Sequence, residues 1–413
     1  MAIYIVRPEE ASSVHPLSFD SIGLDPTSRR KQVERIIQLN REEPHQVELQ
    51  AWLSEAKQEH RLEVIKGPMD PSVTGASILD LPEDEVEKIQ KDLTGLKIVR
   101  DQPIRLISPE SAAIYPNSLK TRNPRYTEQV DESHLWHLRE IGYDTLRLHR
   151  NSQFGADVTV AVIDTGIDSR HEDFRNTTIS AYEFDGESLN FNRQKYSRDT
   201  HKHGTHIAGL ICGSKTGIAK NASLLSCVVL PRGKGSLVRL IRALDHVCTK
   251  PEVSIVNVSA GIEIEDDGGA LEDIVASVAA SGVLLVSAVG NDGASTIKSP
   301  AIYPEVLSVG ATDKKNKVAG FSGGGTYTLD NHGRCEIPSL VAPGFEIFSC
   351  VPNGNYEAET GTSMATAIVS GIAALILGEN PQLQLDELKE MLCSRCKSLD
   401  NQARQGSGLV QAW

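Results

Sequence analysis

The sequence has no surplus of positive charge. Its 413 residues include 42 lysines and arginines and 55 acidic residues, so the formal net charge is −13. This balance argues against nucleic acid or an anionic membrane as the main partner. No apolar run approaches the length of a transmembrane helix, and residues 1–8 lack the apolar core of a signal peptide. We therefore expect a cytoplasmic protein, or a secreted one if an export segment has been removed.

Closely paired cysteines are also scarce. The seven cysteines are odd in number, and Cys212, Cys227 and Cys248 fall in apparent core segments. This distribution favours reduced, buried thiols over disulfides. Cys393 and Cys396 form the one tight pair. Because the chain has no second such pair, packing in the C-terminal helix explains them better than a zinc site does.

Four short motifs place a reactive side chain beside small residues. They are Asp164-Thr165-Gly166, His203-Gly204-Thr205-His206, Ala288-Val289-Gly290-Asn291 and Gly361-Thr362-Ser363-Met364. Each motif alone is ordinarily a turn or a helix cap. Together they supply a carboxylate, an imidazole, an amide and a hydroxyl, which are the groups that acyl transfer needs.

The chemistry of acyl transfer gives each group one role. Ser363 is the candidate nucleophile, His203 the general base and then the general acid, and Asp164 the carboxylate that orients the imidazole. The Asn291 amide and the backbone N–H of Ser363 are the candidate donors to the oxyanion. Losing one such donor costs about 3–4 kcal/mol in the transition state, so Asn291 ranks with the other three. Catalysis also explains the clustered histidines better than a metal site does, with His206 buried behind the site.

The residues that flank these motifs predict an open α/β sheet. Asp164 and Asn291 follow the apolar runs 158–163 and 284–289, which are typical of buried parallel strands. Sites in open α/β sheets lie at the carboxyl ends of such strands. Ser363 opens an apolar helical run, and a helix N-terminus adds positive charge beside an oxyanion.

At these motifs the sequence resembles the subtilases, a family of serine endopeptidases, and in loop pattern it is most similar to the proteinase K-like and bacterial intracellular members. The resemblance covers roughly residues 131–413 and includes the final motif Gly408-Leu409-Val410-Gln411-Ala412. The chain order of acid, base and nucleophile matches, and the Gly-x-Ser-x-Gly elbow of another hydrolase fold is absent. The resemblance implies a three-layer α/β protease domain with a seven-stranded parallel sheet, which hydrolyses peptide bonds through an acyl-enzyme on Ser363.

The resemblance also implies how a polypeptide substrate binds. An extended peptide would add as a strand beside segment 253–261 and beside a second strand at 233–236. The implied contact residues are Ser259, Ala260 and Gly261 on one wall of the specificity pocket, Ala288, Val289 and Gly290 on the other, and Gly233 and Gly235 on the second strand. Lys298 lies near the pocket floor, where an inward side chain would favour an acidic residue before the scissile bond. We favour an outward, solvated Lys298, because lysine is seldom buried unpaired.

No cofactor is implied for the catalytic step. Asp173 matches a calcium ligand of the family, but the companion loop 212–217 is short and lacks the ligands of a closed oxygen cage. Ser339 stands roughly where other members place a second ligand carboxylate. A structural calcium ion is therefore left open but not favoured.

Residues 1–108 follow a different pattern. Their apolar runs and helical periodicity predict strands at 3–6, 62–65, 76–79 and 96–99, helices at 46–58 and from Pro82 onward, and an inserted, exposed helix in the polar stretch 25–43. The order β-α-β-β-α-β is typical of ferredoxin-like α+β domains. The resemblance implies an inhibitory prodomain that assists folding and feeds its tail into the cleft. The alternative is a partner-binding domain of the same fold class.

These patterns divide the chain into a prodomain (1–108), a linker (109–130) and a peptidase domain (131–413). The linker carries several prolines and asparagines and is an expected place for activating cleavage, with the tail near Ile107-Ser108 equally open. Two rival functions remain open at this point. One is a catalytically silent, protease-like binder, and the other is a narrow processing enzyme that matures a single partner.

Overall fold

The computed structural model describes residues 2–9, 26–62, 72–107, 130–148, 153–263, 269–329, 332–400 and 403–412. The N-terminal region contains a three-stranded antiparallel sheet in which β1 lies between β2 and β3. Its elements are β1 (Ala2–Pro8), α1 (Pro26–Glu42), α2 (Pro44–Gln58), β2 (Ser77–Leu81), α3 (Glu83–Asp92), β3 (Leu96–Arg100) and β4 (Pro103–Leu106). Helix α2 begins at a proline, and Glu43 caps it by accepting from the backbone N–H of Gln46. Its buried residues Leu49, Trp52 and Leu53 share one apolar cluster with the sheet.

Helix α1 departs from the predicted exposed helix. It occupies the predicted stretch, but Arg29, Val33, Ile36 and Asn40 are buried. Val33 and Ile36 join an apolar core of the main sheet, so the prediction of an exposed helix is wrong for this face. The mostly polar composition concealed two apolar residues three positions apart, which is enough for a narrow buried stripe. The predicted strand at 62–65 lies outside the described residues except for Leu62, so the ferredoxin-like order stays a prediction.

The remaining strands build the larger part of the molecule. They are β5 (Thr159–Asp164), β6 (Ile179–Asp185), β7 (Asn190–Gln194), β8 (Ser223–Val228), β9 (Lys234–Ser236), β10 (Val253–Val258), β11 (Ala260–Glu263), β12 (Leu284–Ala288), β13 (Lys298–Ser299), β14 (Leu307–Thr312), β15 (Gly325–Leu329), β16 (Gly333–Ile337), β17 (Leu340–Pro343), β18 (Ile347–Val351) and β19 (Asn355–Glu359). The main sheet has the order β17-β14-β12-β10-β5-β8-β6-β7. Its first seven strands are parallel, and β7 is an additional antiparallel edge strand. The resemblance did not predict this eighth strand.

Helices cover both faces of the main sheet. They are α4 (Trp136–Glu140), α5 (Tyr143–Leu148), α6 (His203–Cys212), α7 (Leu237–Cys248), α8 (Glu272–Ala280), α9 (Thr362–Glu379) and α10 (Leu385–Ser394). Successive side chains of a strand point to opposite faces. Val160 and Val162 of β5 accordingly join the core that contains α6 and α9, whereas Ala161 and Ile163 join the core that contains α7 and α8. The fold is an α/β sandwich of three layers.

Helix α9 corrects the expectation that no apolar run approaches transmembrane length. Among the described residues, Thr362–Glu379 is the helix whose length and composition would suffice to cross a bilayer. Within the fold, however, 89% of this helix is buried. A helix that is apolar on all sides is expected at the centre of a large core, so its composition needs no membrane.

Candidate active site

Asp164 and His203 are brought together where strand β5 meets helix α6. Asp164 ends β5, and His203 begins α6. The approach depends on two glycines, because a Cβ built on Gly204 would lie 2.1 Å from the carbonyl oxygen of Gly166. Gly166 also has a φ of 107°, a conformation that favours glycine. Glycine at positions 166 and 204 is therefore a steric requirement for placing the imidazole against the carboxylate.

The carboxylate of Asp164 orients the imidazole of His203. His203 Nδ1 lies 2.9 Å from Asp164 Oδ2 and 3.0 Å from Oδ1. Asp164 is fully buried, and the backbone N–H of Thr165 also donates to it at 2.7 Å. Since Nδ1 donates to an anion, Nε2 is left as the basic nitrogen. Burial disfavours the charged imidazole, but the negative charges of Asp164, Glu359 and Asp199 outweigh it and raise the pKa of His203.

Ser363 lies in the first turn of α9 and is buried. Its hydroxyl donates to the carbonyl oxygen of Ile107 at 3.3 Å. His203 Nε2 has no hydrogen-bond partner within the part of the chain that the structure describes, so the expected serine–histidine hydrogen bond is not formed in this state. Catalytic hydrogen bonds are often long or misaligned outside the reactive complex, and rotation about the serine Cα–Cβ bond redirects its hydroxyl.

The amide of Asn291 donates to the same carbonyl. Asn291 Nδ2 lies 2.9 Å from the Ile107 oxygen. Its Oδ1 accepts from the backbone N–H of Thr362 at 2.9 Å and from the Thr362 hydroxyl at 3.0 Å, which orients the amide. The Ser363 hydroxyl also donates to the Ile107 oxygen, and the Ser363 backbone N–H stays a predicted donor to the oxyanion. Thr362 was missed by sequence reasoning, although it directly precedes the candidate nucleophile.

An extended segment of the same chain occupies the cleft. Strand β4 lies between β9 and β11 and pairs antiparallel with both. Leu106 faces Ala260, Arg105 faces Gly261, and Ile104 faces Gly235. The backbone N–H of Ile107 then donates to the Ser259 carbonyl at 3.2 Å. The two strands expected to bind a peptide therefore do hold one, and it is the tail of the N-terminal region.

Lys298 closes the pocket beside the Ile107 side chain. A Cβ built on Gly261 would lie 2.6 Å from Lys298 Cβ and 3.3 Å from Ile107 Cδ1. A Cβ on Gly290 would lie 3.0 Å from Lys298 Cγ. The aliphatic stem of Lys298 thus passes between two glycines, and any side chain at either glycine would displace it.

The ammonium of Lys298 is paired rather than solvated. Its Nζ lies 2.8 Å from Asp292 Oδ2 and also contacts Glu263, and the side chain is only 18% exposed. The favoured outward, solvated lysine therefore does not describe this geometry. Burial opposes the charged form, but the two carboxylates outweigh it and raise the pKa of Lys298. Paired in this way, the ammonium offers little attraction to an acidic substrate side chain.

The other implied substrate residues lie along the same cleft. Ala288 and Val289 are buried at the end of β12, and Val289 accepts from the backbone N–H of Lys298 at 3.0 Å. Gly233 has a φ of 79°, and a Cβ built on it would lie 3.3 Å from Leu106 Cδ1. The small residues therefore make room for the peptide on both sides.

The remaining histidines do not resemble a metal site. His206 is buried, and its Nε2 lies 3.0 Å from the carbonyl oxygen of Ile347 and 3.1 Å from that of Glu357. Burial lowers the pKa of His206 to about 4, so the ring is neutral near pH 7. His201 is exposed. The described residues contain no group of three side chains that could hold a metal ion.

Asp173 is occupied by hydrogen bonds from the short loop. Its Oδ1 accepts from the Ser214 hydroxyl at 2.7 Å and the Lys215 backbone N–H at 2.8 Å, and Oδ2 accepts from the Thr216 hydroxyl at 3.3 Å. Asp173 is the one carboxylate in this group, whereas a calcium cage needs about six to eight oxygen ligands, usually from several carboxylates. The hydroxyl of Ser339 lies 3.0 Å from that of Ser308. The residues at this position do not fit a calcium cage.

A peptide carbonyl held by an amide donor, next to a serine and an aspartate-oriented histidine, is the arrangement that serine endopeptidases use, and the molecule is of that class. Residues 155–408 match the subtilase family, and the chain belongs to this family. It is 33% identical over 298 residues to subtilisin E of Bacillus subtilis strain 168, covering 68% of this chain and 73% of that protein. It is also 33% identical over 273 residues to a subtilisin of Bacillus pumilus, covering 64% of this chain and 92% of that protein. An alkaline protease of Alkalihalobacillus alcalophilus is 36% identical over 270 residues, covering 64% of this chain and 65% of that protein.

Proposed function

We propose that the protein is made as a zymogen, in which residues 1–108 are an autoinhibitory prodomain whose tail is the first substrate of the site. The position of the Ile107 carbonyl carries this proposal. It accepts from Asn291 Nδ2 at 2.9 Å and from the Ser363 hydroxyl at 3.3 Å. A scissile carbonyl needs such contacts with the nucleophile and the oxyanion donor. The bond to be cut is then Ile107–Ser108, at the prodomain boundary rather than within the linker 109–130.

Each catalytic group has a defined step in this reaction. His203 Nε2 takes the proton of Ser363 Oγ as Oγ bonds to the Ile107 carbonyl carbon. The carbonyl oxygen becomes an oxyanion that the Asn291 amide stabilises, while Asp164 stabilises the imidazolium. The imidazolium gives its proton to the leaving nitrogen of Ser108, and the C–N bond breaks. His203 then takes a proton from water as the water oxygen bonds to the acyl carbon, and it returns this proton to Ser363 Oγ as the ester C–Oγ bond breaks.

The tail also indicates the substrates that suit the site. Ile107 is buried next to the Lys298 stem, and Ile104, three positions earlier, is 1% exposed within the apolar core that includes α7. Arg105, which lies between them in β4, is exposed. We infer a preference for aliphatic residues directly before the scissile bond and three positions earlier, in extended polypeptide. An acidic residue before the bond is not favoured, because the ammonium of Lys298 is already paired.

Contacts away from the cleft support the inhibitory role of the N-terminal region. Asp101 Oδ1 accepts from the backbone N–H of Val238 at 2.9 Å, and the Gln102 carbonyl accepts from that of Leu237 at 2.8 Å. Both donors belong to the first turn of α7, where backbone N–H groups lack partners within the helix. The tail therefore reaches the cleft from an anchor on α7, which aligns it with β9 and β11.

Four further expectations stay proposals alongside the zymogen. The proteinase K-like, intracellular type and a cytoplasmic location remain expectations from the sequence. The donors around Asp173 support a fold without calcium at that position. Narrow processing of one partner is the alternative to general degradation. Activity on casein and a proteome-wide cleavage profile would separate the two, because a processing enzyme cuts few proteins.

Mass spectrometry of the purified chain tests the proposal. The wild-type protein should yield a fragment that ends at Ile107, whereas Ser363→Ala should stay uncut. Ser370→Ala is the matched control, because Ser370 is also a buried serine of α9 but bonds to Asn257. It should be cut like the wild type. Cleavage after Ile107 in purified Ser363→Ala would refute the assignment of the nucleophile.

A further inference from the structure

A charged cluster lies next to the proposed base and has no part in the steps above. Lys202 directly precedes His203, and its Nζ lies 2.8 Å from Glu357 Oε1 and 2.5 Å from Glu359 Oε1. The side chains of Glu357 and Glu359 are 7% and 20% exposed. Two carboxylates therefore face one ammonium in a largely buried place. The cluster has one negative charge that Lys202 does not balance.

The cluster connects the segment that carries the base with the segment that carries the nucleophile. Glu357 and Glu359 belong to β19, and Ser363 follows four residues after its end. The Glu357 carbonyl accepts from His206 Nε2 at 3.1 Å, so β19 is bound to α6 one turn beyond His203. Lys202 and His206 together hold β19 against the start of α6. Negative charge at a helix N-terminus is itself favourable.

We propose that Glu359 is a positioning residue that stabilises the protonated form of His203 through space, and that Lys202 limits this effect by pairing with Glu359. The inference rests on the proposed role of His203 as the base. In the transition state His203 holds the proton of Ser363, so a nearby negative charge lowers the energy of that state and a nearby positive charge raises it. Glu359 and Lys202 therefore act on the same imidazole in opposite directions.

Other charged groups also face His203 and set the background. They are Asp164 of β5 and Asp199 of the preceding loop, whereas the nearby ring of His206 in α6 is neutral at the pH where His203 titrates. Burial opposes ionisation of Glu359, but the nearby histidines, when protonated, and the ammonium of Lys202 outweigh it and lower the pKa of Glu359. Glu359 is therefore an anion at the pH where His203 titrates.

The pH dependence of kcat/KM tests this proposal, measured on the processed enzyme with a peptide substrate. The acidic limb of this profile reports the protonation of the base in the free enzyme. In Glu359→Gln the limb should move to lower pH, and in Lys202→Met it should move to higher pH. The double variant should lie between the two. Glu172→Gln is the control, because Glu172 also pairs with a lysine, Lys215, and should leave the limb unchanged.

The opposite directions make the test specific. A merely structural brace would lower activity or stability in both variants and would not move the limb up in one and down in the other. Limbs that stay unchanged, or that move in the same direction, would overturn the inference. A wild-type enzyme without Ser363-dependent cleavage would instead overturn the proposed function, and that failure is visible before any variant is made.

Discussion

Arg29 should determine how tightly the proposed prodomain stays bound after the chain is cut. Its side chain is fully buried, and its guanidinium donates to the backbone carbonyl oxygens of Pro251 at 3.0 Å, Ser281 at 3.3 Å and Val253. Burial lowers the pKa of Arg29 to about 10, so the group stays charged at neutral pH. An arginine of α1 thus satisfies three carbonyls that lie at the ends of peptidase elements.

Arg29→Met keeps the aliphatic stem and removes these donors. A charged hydrogen bond contributes about 1.5–3 kcal/mol, and a buried carbonyl left unpaired costs about 1–3 kcal/mol. Water can replace some of the lost donors, and the variant no longer buries a charged guanidinium. We therefore expect a net loss of about 2–4 kcal/mol in the binding free energy of the prodomain, which weakens its binding roughly 30- to 700-fold. The assay follows peptidase activity and fragment release by size-exclusion chromatography after self-cleavage.

The control for this experiment is the neighbouring residue. Arg30 is exposed on the same helix, so Arg30→Met removes the same charge without touching the three carbonyls and should behave like the wild type. Equal release from Arg29→Met and Arg30→Met would refute the reasoning, because the effect would then follow from charge and not from the buried contacts.

Two further predictions concern the pocket and acid stability. In Lys298→Ala the aliphatic stem no longer fills the space between Gly261 and Gly290. The ratio of kcat/KM for phenylalanine to that for isoleucine before the scissile bond should therefore rise by about tenfold or more. Lys298→Met keeps the stem, and an identical shift in that variant would contradict this explanation. Burial lowers the pKa of His137 to about 3 and that of His206 to about 4, both below the usual 6.5. Between these values the two histidines bind protons in the unfolded chain but stay neutral in the folded chain. The free energy of unfolding should therefore fall as the pH drops from about 6.5 towards 4. Urea unfolding of Ser363→Ala measures this slope, which His137→Leu should reduce and His201→Asn should not.

The strands and the four catalytic motifs were predictable because their signals are local. The run before Asp164 has the β-branched, apolar composition of a buried parallel strand, and the small residues after His203 and Ser363 indicate close packing. The antiparallel strand β7 was missed, because its residues Asn190–Gln194 are mostly polar and half-exposed and carry no strand-like alternation. Edge strands often lack the apolar pattern that identifies central strands.

The buried face of α1, the paired ammonium of Lys298 and the cluster around Lys202 could not be predicted in the same way. Each depends on residues far apart in the chain: Arg29 meets Ser281, and Lys298 meets Glu263. Most charged side chains are solvated, so a lysine or arginine in a sequence is expected to be exposed until a buried partner for it is known. Only the packed structure supplies those partners.

The sequence by itself determined the chemistry of this protein. A carboxylate, an imidazole, an amide and a hydroxyl, each beside small residues, can together perform few reactions other than acyl transfer. The tertiary structure alone decided the register in which the tail lies in the cleft and which of its carbonyls meets the serine. Both depend on which distant segments pair. Pairing between β4, β9 and β11 uses backbone hydrogen bonds, which every residue except proline can both donate and accept. Because backbone hydrogen bonds depend little on the type of side chain, residue types alone do not predict which segments pair or in which register.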